Sequence, residues 1–218
     1  PVSAGNIQAS NFRITENVRL GQGGEAEKFR DNLAAIKTLK AIESEGRRAT
    51  SDEQRTLARY VGWGGLANAF PNPETKEWKD DWKARGAELK DLLTQKEYDL
   101  ARRSTLDSHY TSQTIVTAMW DAARRLGFNG GLAAETSMGI GNFIGLMPES
   151  VAGNTRFIGV EYDSLTARMA GLLYPQSTVL NSGLQHVPLS DNAFDLNIGN
   201  PPFGDQSLRF QFKPEFNR

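Results

Sequence analysis

The residues best suited to chemistry lie near the end of the 218-residue chain, where Phe194-Asp195-Leu196-Asn197-Ile198-Gly199 runs into Asn200-Pro201-Pro202-Phe203-Gly204. The apolar run reads as a buried strand that delivers Asn200 to its carboxyl end, where open α/β sheets bind ligands. The two prolines remove two amide donors and hold the backbone extended, and Pro201 biases Asn200 away from helical geometry. The Asn200 side-chain oxygen and the Pro201 carbonyl can then converge on one small space. Two such acceptors suit the two hydrogens of an exocyclic amino group. Phe203 offers a flat apolar face for a planar ring. Taken alone, the tetrapeptide also reads as a Pro-Pro turn with Phe203 packed in the core.

Two further elements lie upstream, also at strand ends. In Ala134-Glu135-Thr136-Ser137-Met138-Gly139-Ile140-Gly141-Asn142-Phe143, the glycines Gly139 and Gly141 permit a tight turn and close approach to a ligand. Ile144 occupies the place of the third glycine in a dinucleotide fingerprint, so that motif is excluded. Phe157-Ile158-Gly159-Val160-Glu161 puts a carboxylate at the end of the next strand, where it can accept from ribose hydroxyls or simply face solvent. What links the three elements is their shared order on successive strand ends.

The elements that must hold these residues follow from periodicity. Four short apolar runs, 131–135, 156–161, 177–181 and 194–199, alternate with segments that can be helical, which argues for a parallel sheet with crossovers. Ahead of them, Thr111 or Ser112 caps a helix with Ile115, Val116, Met119, Trp120, Ala123 and Leu126 on one face, closing at Gly127. The leader is helical. Phe29, Leu33, Ile36, Leu39 and Ile42 recur at helical spacing over 25–45, between the Gly21-Gln22-Gly23-Gly24 turn and Gly46. Thr50 with Glu53, and Thr94 with Glu97, form capping boxes for helices running to Arg59 and over 95–103, with another helix around 83–93. Tyr60-Val61-Gly62-Trp63-Gly64-Gly65 interrupts them. Trp63, Trp78 and Trp82 read as buried packing or as a partner surface.

Composition sets bounds. Lys and Arg total 25 against 26 Asp and Glu, so no global field draws the chain to nucleic acid. Cysteine is absent and His109 and His186 are the two histidines, which excludes disulfides, a thiolate nucleophile and a Cys/His zinc site, so no metal is expected. The lack of cysteine fits a cytoplasmic setting, and no apolar run is long enough to span a membrane. Gly21 to Gly24 with Lys28 lacks the spacing of a phosphate loop.

On these motifs the chain resembles the gamma-type N6-adenine DNA methyltransferases, over residues 105–205. In that resemblance Tyr110 and Thr111 match an upstream cofactor motif. Glu135, Ser137, Gly139, Gly141, Asn142 and Phe143 match the glycine motif, Glu161 the ribose-binding acid, and Asn200, Pro201, Pro202 and Phe203 the catalytic motif. The resemblance implies a partial Rossmann-like α/β sheet, S-adenosyl-L-methionine as cofactor and DNA as substrate. Phe12-Arg13-Ile14, Lys28-Phe29-Arg30-Asp31-Asn32, Tyr60 to Gly65 and His109-Tyr110-Thr111 resemble the front of large phage and mobile-element proteins that join such a domain to a helicase. That implies an anti-restriction setting with phage or helicase-domain partners.

The expected organisation is a helical extension over 1–104 that covers part of the sheet, a partial methyltransferase domain over 105–205, and a truncated tail over 206–218. Both ends look cut, and four strands stand where about seven are expected, so the chain alone is not expected to methylate DNA. Thr136 replaces the usual proline of the glycine motif, no acid follows the third strand in Asn181-Ser182-Gly183-Leu184-Gln185, and Asn197 interrupts the fourth strand. Buried and unpaired, Asn197 would cost on the order of 1–3 kcal/mol. Two other readings stay open. One is an amino-methyltransferase for ribosomal RNA or protein glutamine, the other a non-catalytic cofactor-binding or interaction module.

Overall fold

The structure is a computed structural model that describes residues 10–106 and 110–201. The leader folds into α1 (Glu25–Glu45), α2 (Ser51–Ala58), α3 (Lys83–Leu92) and α4 (Gln95–Arg103). Their boundaries have local causes. Both capping boxes form, with the Thr50 and Thr94 hydroxyls accepting from the Glu53 and Glu97 amides and each glutamate reaching back to its threonine amide. The expected apolar face of α1 is buried throughout, against a ring cluster in which Phe29 meets Trp63 and Trp82 edge-on. Trp63 and Trp82 are thus packing residues, and Trp78 is half-buried, its Nε1–H donating to the Ala69 carbonyl.

Next come α5 (Gln113–Arg125), β1 (Gly131–Glu135), the short helices α6 (Asn142–Gly145) and α7 (Glu149–Ala152), β2 (Thr155–Glu161), α8 (Ser164–Leu173), β3 (Thr178–Asn181) and β4 (Leu196–Asn197). All four strands are parallel, in the order β3-β2-β1-β4. This is the α/β, Rossmann-like parallel sheet expected, preceded by helices.

Parallel pairing puts aligned residues on one face and alternate residues on the other. Ala133, Phe157 and Ile198, with half-buried Val179 and Leu196, share the face that joins the hydrophobic core. Leu132, Ala134, Ile158, Val160 and Leu180 line the opposite face and lie outside that cluster among the described residues. The core is continuous from Ile14 through the leader helices to Ile198.

Four expectations need correction. The leader packs on α8, which in turn packs on β2 and β3, so it reaches the sheet through a helix. Two connections fix this: the Arg168 guanidinium bonds Glu43 and Glu97, and the Gln54 side chain donates to the Leu172 carbonyl. On α5, Val116, Trp120 and Ala123 are buried, but Ile115 and Leu126 are 54% and 89% exposed, because the apolar stripe is wider than the buried face. Ser112 stands at the start of α5 without a side-chain cap bond. The fourth strand is shorter than its apolar run, and Asn197 is exposed on it, so the expected burial cost does not arise.

Candidate functional site

The chain steps from β1 to β2 to β3 in one direction, then returns to place β4 on the other side of β1. The reversal lies between β1 and β4, the switch point where open parallel sheets form their ligand crevice. Here the glycine segment and the start of the Asn-Pro-Pro segment meet. The Leu132 amide donates to the Asp195 carboxylate at 2.8 Å and the Ile198 amide to the Ala134 carbonyl at 3.0 Å. A Cβ on Gly199 would lie 3.0 Å from Glu135 Cγ, so the two strand ends touch. Asn200 is half-buried and Pro201 exposed beyond that contact. Pro202, Phe203 and the tail lie outside the described residues.

The segment after β1 folds back over β2. The Met138 amide donates to the Val160 carbonyl and the Gly141 amide to the Met138 carbonyl, both at 2.9 Å. Gly139 and Gly141 take φ of 53° and 87°, left-handed values that favour glycine. Each also touches a ring: a Cβ on Gly139 would lie 2.9 Å from Tyr110 Cε1, and one on Gly141 2.5 Å from Tyr174 Cε2. Thr136 and Ser137 form the half-buried turn that leads into this loop.

Glu161 ties the loop to β2. Its Oε2 accepts from the Gly139 amide at 2.8 Å and its Oε1 from the Asp163 amide at 2.7 Å. Burial pushes its carboxyl up to about 7 and the nearby Asp163 charge adds to this, while the amide bonds oppose it. Each carboxylate oxygen keeps a second lone pair for a further donor. Asn181 holds the neighbouring strand end, its Nδ2 donating to the Glu161 and Tyr162 carbonyls.

Glu135 is 3% exposed, and its Oε2 has no hydrogen-bond partner among the described residues. Burial, then the Glu161 charge, raises its carboxyl well above the usual range. Asn142 is buried with Oδ1 also lacking a partner there, while its Nδ2 reaches the Thr111 carbonyl at 3.5 Å. Unpaired buried acceptors are rare and call for a donor. Two of them on the glycine segment, beside a carboxylate with free lone pairs, fit a ligand carrying an ammonium group and ribose hydroxyls.

The structure thus sets Tyr110 and Glu161 against Gly139, and Thr111 beside Asn142, on the loop that follows Glu135 and contains Gly141. Phe143 is the exception: its side chain is 2% exposed within the core, and its carbonyl accepts from Trp120 Nε1. Sequence reasoning missed Tyr174, the ring behind Gly141, and Asn32, whose side chain is wholly buried in the leader. An amide on the apolar face of α1, between Phe29 and Leu33, was the available signal for Asn32.

Among the described residues no group of three or more His, Cys, Asp or Glu could hold a metal ion, and no helix is long and apolar enough to cross a membrane. No protein-family model matches the sequence, and no curated protein matches it. Among solved structures, the methyltransferase subunit of a type I restriction-modification system from Streptococcus thermophilus overlaps at 21% identity and TM-score 0.38, covering 57% of this chain and 30% of that one. A protein from Listeria monocytogenes, described as a class I S-adenosylmethionine-dependent methyltransferase, overlaps at 13% identity and TM-score 0.32, covering 78% and 56%. The chain therefore spans less than two thirds of either, and overlap at this level fixes no activity.

Proposed function

We propose that this chain carries the cofactor site and the start of the target site of an S-adenosylmethionine-dependent amino-methyltransferase acting on adenine N6 in DNA. One observation carries the reading: at the β1–β4 switch point, Gly199 lies against Glu135, beside the glycine loop where the buried acceptors of Glu135 and Asn142 have no donor among the described residues. The cofactor supplies, when bound, a methyl group activated on a sulfonium. Glu135 and Asn142 accept from its ammonium, and Glu161 accepts from its ribose hydroxyls. An ammonium beside Glu135 favours the ionised carboxylate that burial alone disfavours.

At the target side, the Asn200 side-chain oxygen and the Pro201 carbonyl accept the two amino hydrogens of an adenine extruded from the duplex. By its type Pro202 restricts the backbone that follows, and Phe203 supplies the flat face on which the base would stack. Held by these two acceptors, the amino nitrogen would be oriented toward the donor's methyl group, and transfer would need no metal and no covalent enzyme intermediate. Rate enhancement then comes from alignment and from fixed acceptors facing the developing charge.

The test is transfer of labelled methyl groups to duplex DNA by the longest available form of the protein. Label is expected on adenine N6, and Asn200→Ala is expected to abolish transfer with cofactor affinity retained. Undiminished transfer by Asn200→Ala would overturn the assignment of the motif, and cofactor binding with no transfer to any substrate would favour the non-catalytic reading.

A further inference from the structure

The leader reaches the glycine loop through Tyr110. The turn Tyr60–Gly65 lies over one edge of that ring: a Cβ on Gly62 would lie 3.3 Å from Tyr110 Cζ and 3.5 Å from Cε1. The same edge faces the glycine loop, with a Cβ on Gly139 falling 2.9 Å from Cε1 and 3.3 Å from Cζ. Tyr110 is therefore clamped between two glycine backbones, one from each half of the chain. The Tyr60 ring completes the clamp, its centroid 6.3 Å from that of Tyr110.

The leader side of the clamp is fixed from beneath by one side chain. Asn32 is fully buried in α1; its Nδ2 donates to the Gly62 carbonyl at 2.6 Å, and its Oδ1 accepts from the Val61 amide at 2.9 Å. A buried amide with both ends satisfied in this way dictates one backbone path, because either group left unpaired would carry a desolvation cost. Gly62 is held at φ 70°, where a side chain would be strained as well as crowded by the ring. On the far side, the Gly139 amide bonds Glu161. A continuous set of contacts thus runs from Asn32 through Gly62 and Tyr110 to Gly139 and Glu161.

We propose that the leader contributes to the cofactor-binding apparatus through two residues: Asn32 and Gly62 are positioning residues that hold Tyr110 against Gly139, and so hold the glycine loop in its binding geometry. This rests on the functional reading above for the identity of the ligand. It makes the leader a working wall of the site.

The experiment compares three chains by amide hydrogen exchange at Gly139 and by calorimetric titration with S-adenosylhomocysteine. Gly62→Ala pushes a methyl group into the Tyr110 ring. Gly65→Ala is the matched control in the same turn, with φ of 74° but nothing within 4 Å of the added carbon. Gly62→Ala is expected to speed exchange at Gly139 and to weaken the ligand about tenfold or more, whereas Gly65→Ala changes neither, although both lose some stability. In a Tyr110→Ala background the effect of Gly62→Ala on exchange and affinity is expected to vanish, because the ring that transmits it is gone. Equal effects of the two alanines, or an undiminished Gly62→Ala effect without the Tyr110 ring, would overturn the proposal. A wild-type chain that binds no cofactor would overturn the functional reading, while the exchange comparison would still decide the clamp.

Discussion

Gly199 and Glu135 meet across the switch point, separated by so little that a Cβ on Gly199 would stand 3.0 Å from Glu135 Cγ. That contact brings together two segments distant in sequence. Burial, and then the Glu161 charge, raises the Glu135 carboxyl well above the usual range. Glu135→Gln mimics the protonated acid in shape, so stability is expected to stay within about 1 kcal/mol of wild type. Cofactor affinity is expected to fall about tenfold or more, since an amide cannot neutralise an ammonium. Chemical denaturation and calorimetry on one preparation check both halves.

Glu161 sets a pH dependence. Its folded-state pKa, about 7, lies above the ordinary carboxyl value of 4.5. Between those values the folded chain holds a proton that the unfolded chain has released, so stability falls as pH rises through this window, by at most about 3 kcal/mol. Ribose hydroxyls donate to the ionised form, so cofactor affinity is expected to rise over the same window. Glu161→Gln removes this component of both trends, leaving whatever Asp163 and Glu135, also raised, contribute. Denaturation midpoints and titrations from pH 5 to pH 8 provide the measurement.

Gly141 has two reasons to be glycine: φ of 87° and the buried Tyr174 ring 2.5 Å from where a Cβ would stand. Gly141→Ala is expected to destabilise the chain by about 2 kcal/mol or more, combining backbone strain with overpacking. Adding Tyr174→Leu is expected to recover the packing share only. Urea melts of the single and double variants separate the two contributions.

Arg168 joins α8 to the leader, bonding Glu43 on α1 and Glu97 on α4, where Lys40 also reaches Glu97 at 3.7 Å. Glu97 is held below the usual carboxyl range: burial opposes this, but the Thr94 capping bonds and then the Lys40 and Arg168 charges outweigh it. Arg168→Ala is expected to cost about 1–2 kcal/mol, more than an isolated surface pair, because the largely buried Glu97 carboxylate loses its guanidinium. A double-mutant cycle with Glu97→Gln measures the coupling.

Much of this architecture was legible because its causes are local. Both capping boxes, the buried stripe of α1 and the first three strands need information only from neighbouring residues. So did the shared position of Glu135, Gly139 and Glu161 at strand ends. What sequence could not supply was tertiary: which part of the α5 stripe is covered, how short β4 is, and that Asn197 lies exposed on it. The clamp on Tyr110 was hidden for the same reason, since Gly62 and Gly139 meet only through a ring that neither neighbours in sequence. The burial of Phe143 in the core was likewise hidden, because a motif records which residues recur without separating those that touch a ligand from those that pack beneath it.

The most direct measurement is calorimetric titration of the chain with S-adenosylhomocysteine, comparing wild type with Gly139→Val, Glu161→Ala and Asn200→Ala. The account predicts one binding site in wild type, affinity about tenfold or more weaker in the first two variants with cooperative melting retained, and near-wild-type affinity in Asn200→Ala, which faces the target. Absence of binding in wild type, or equal affinity in all four proteins, would contradict it.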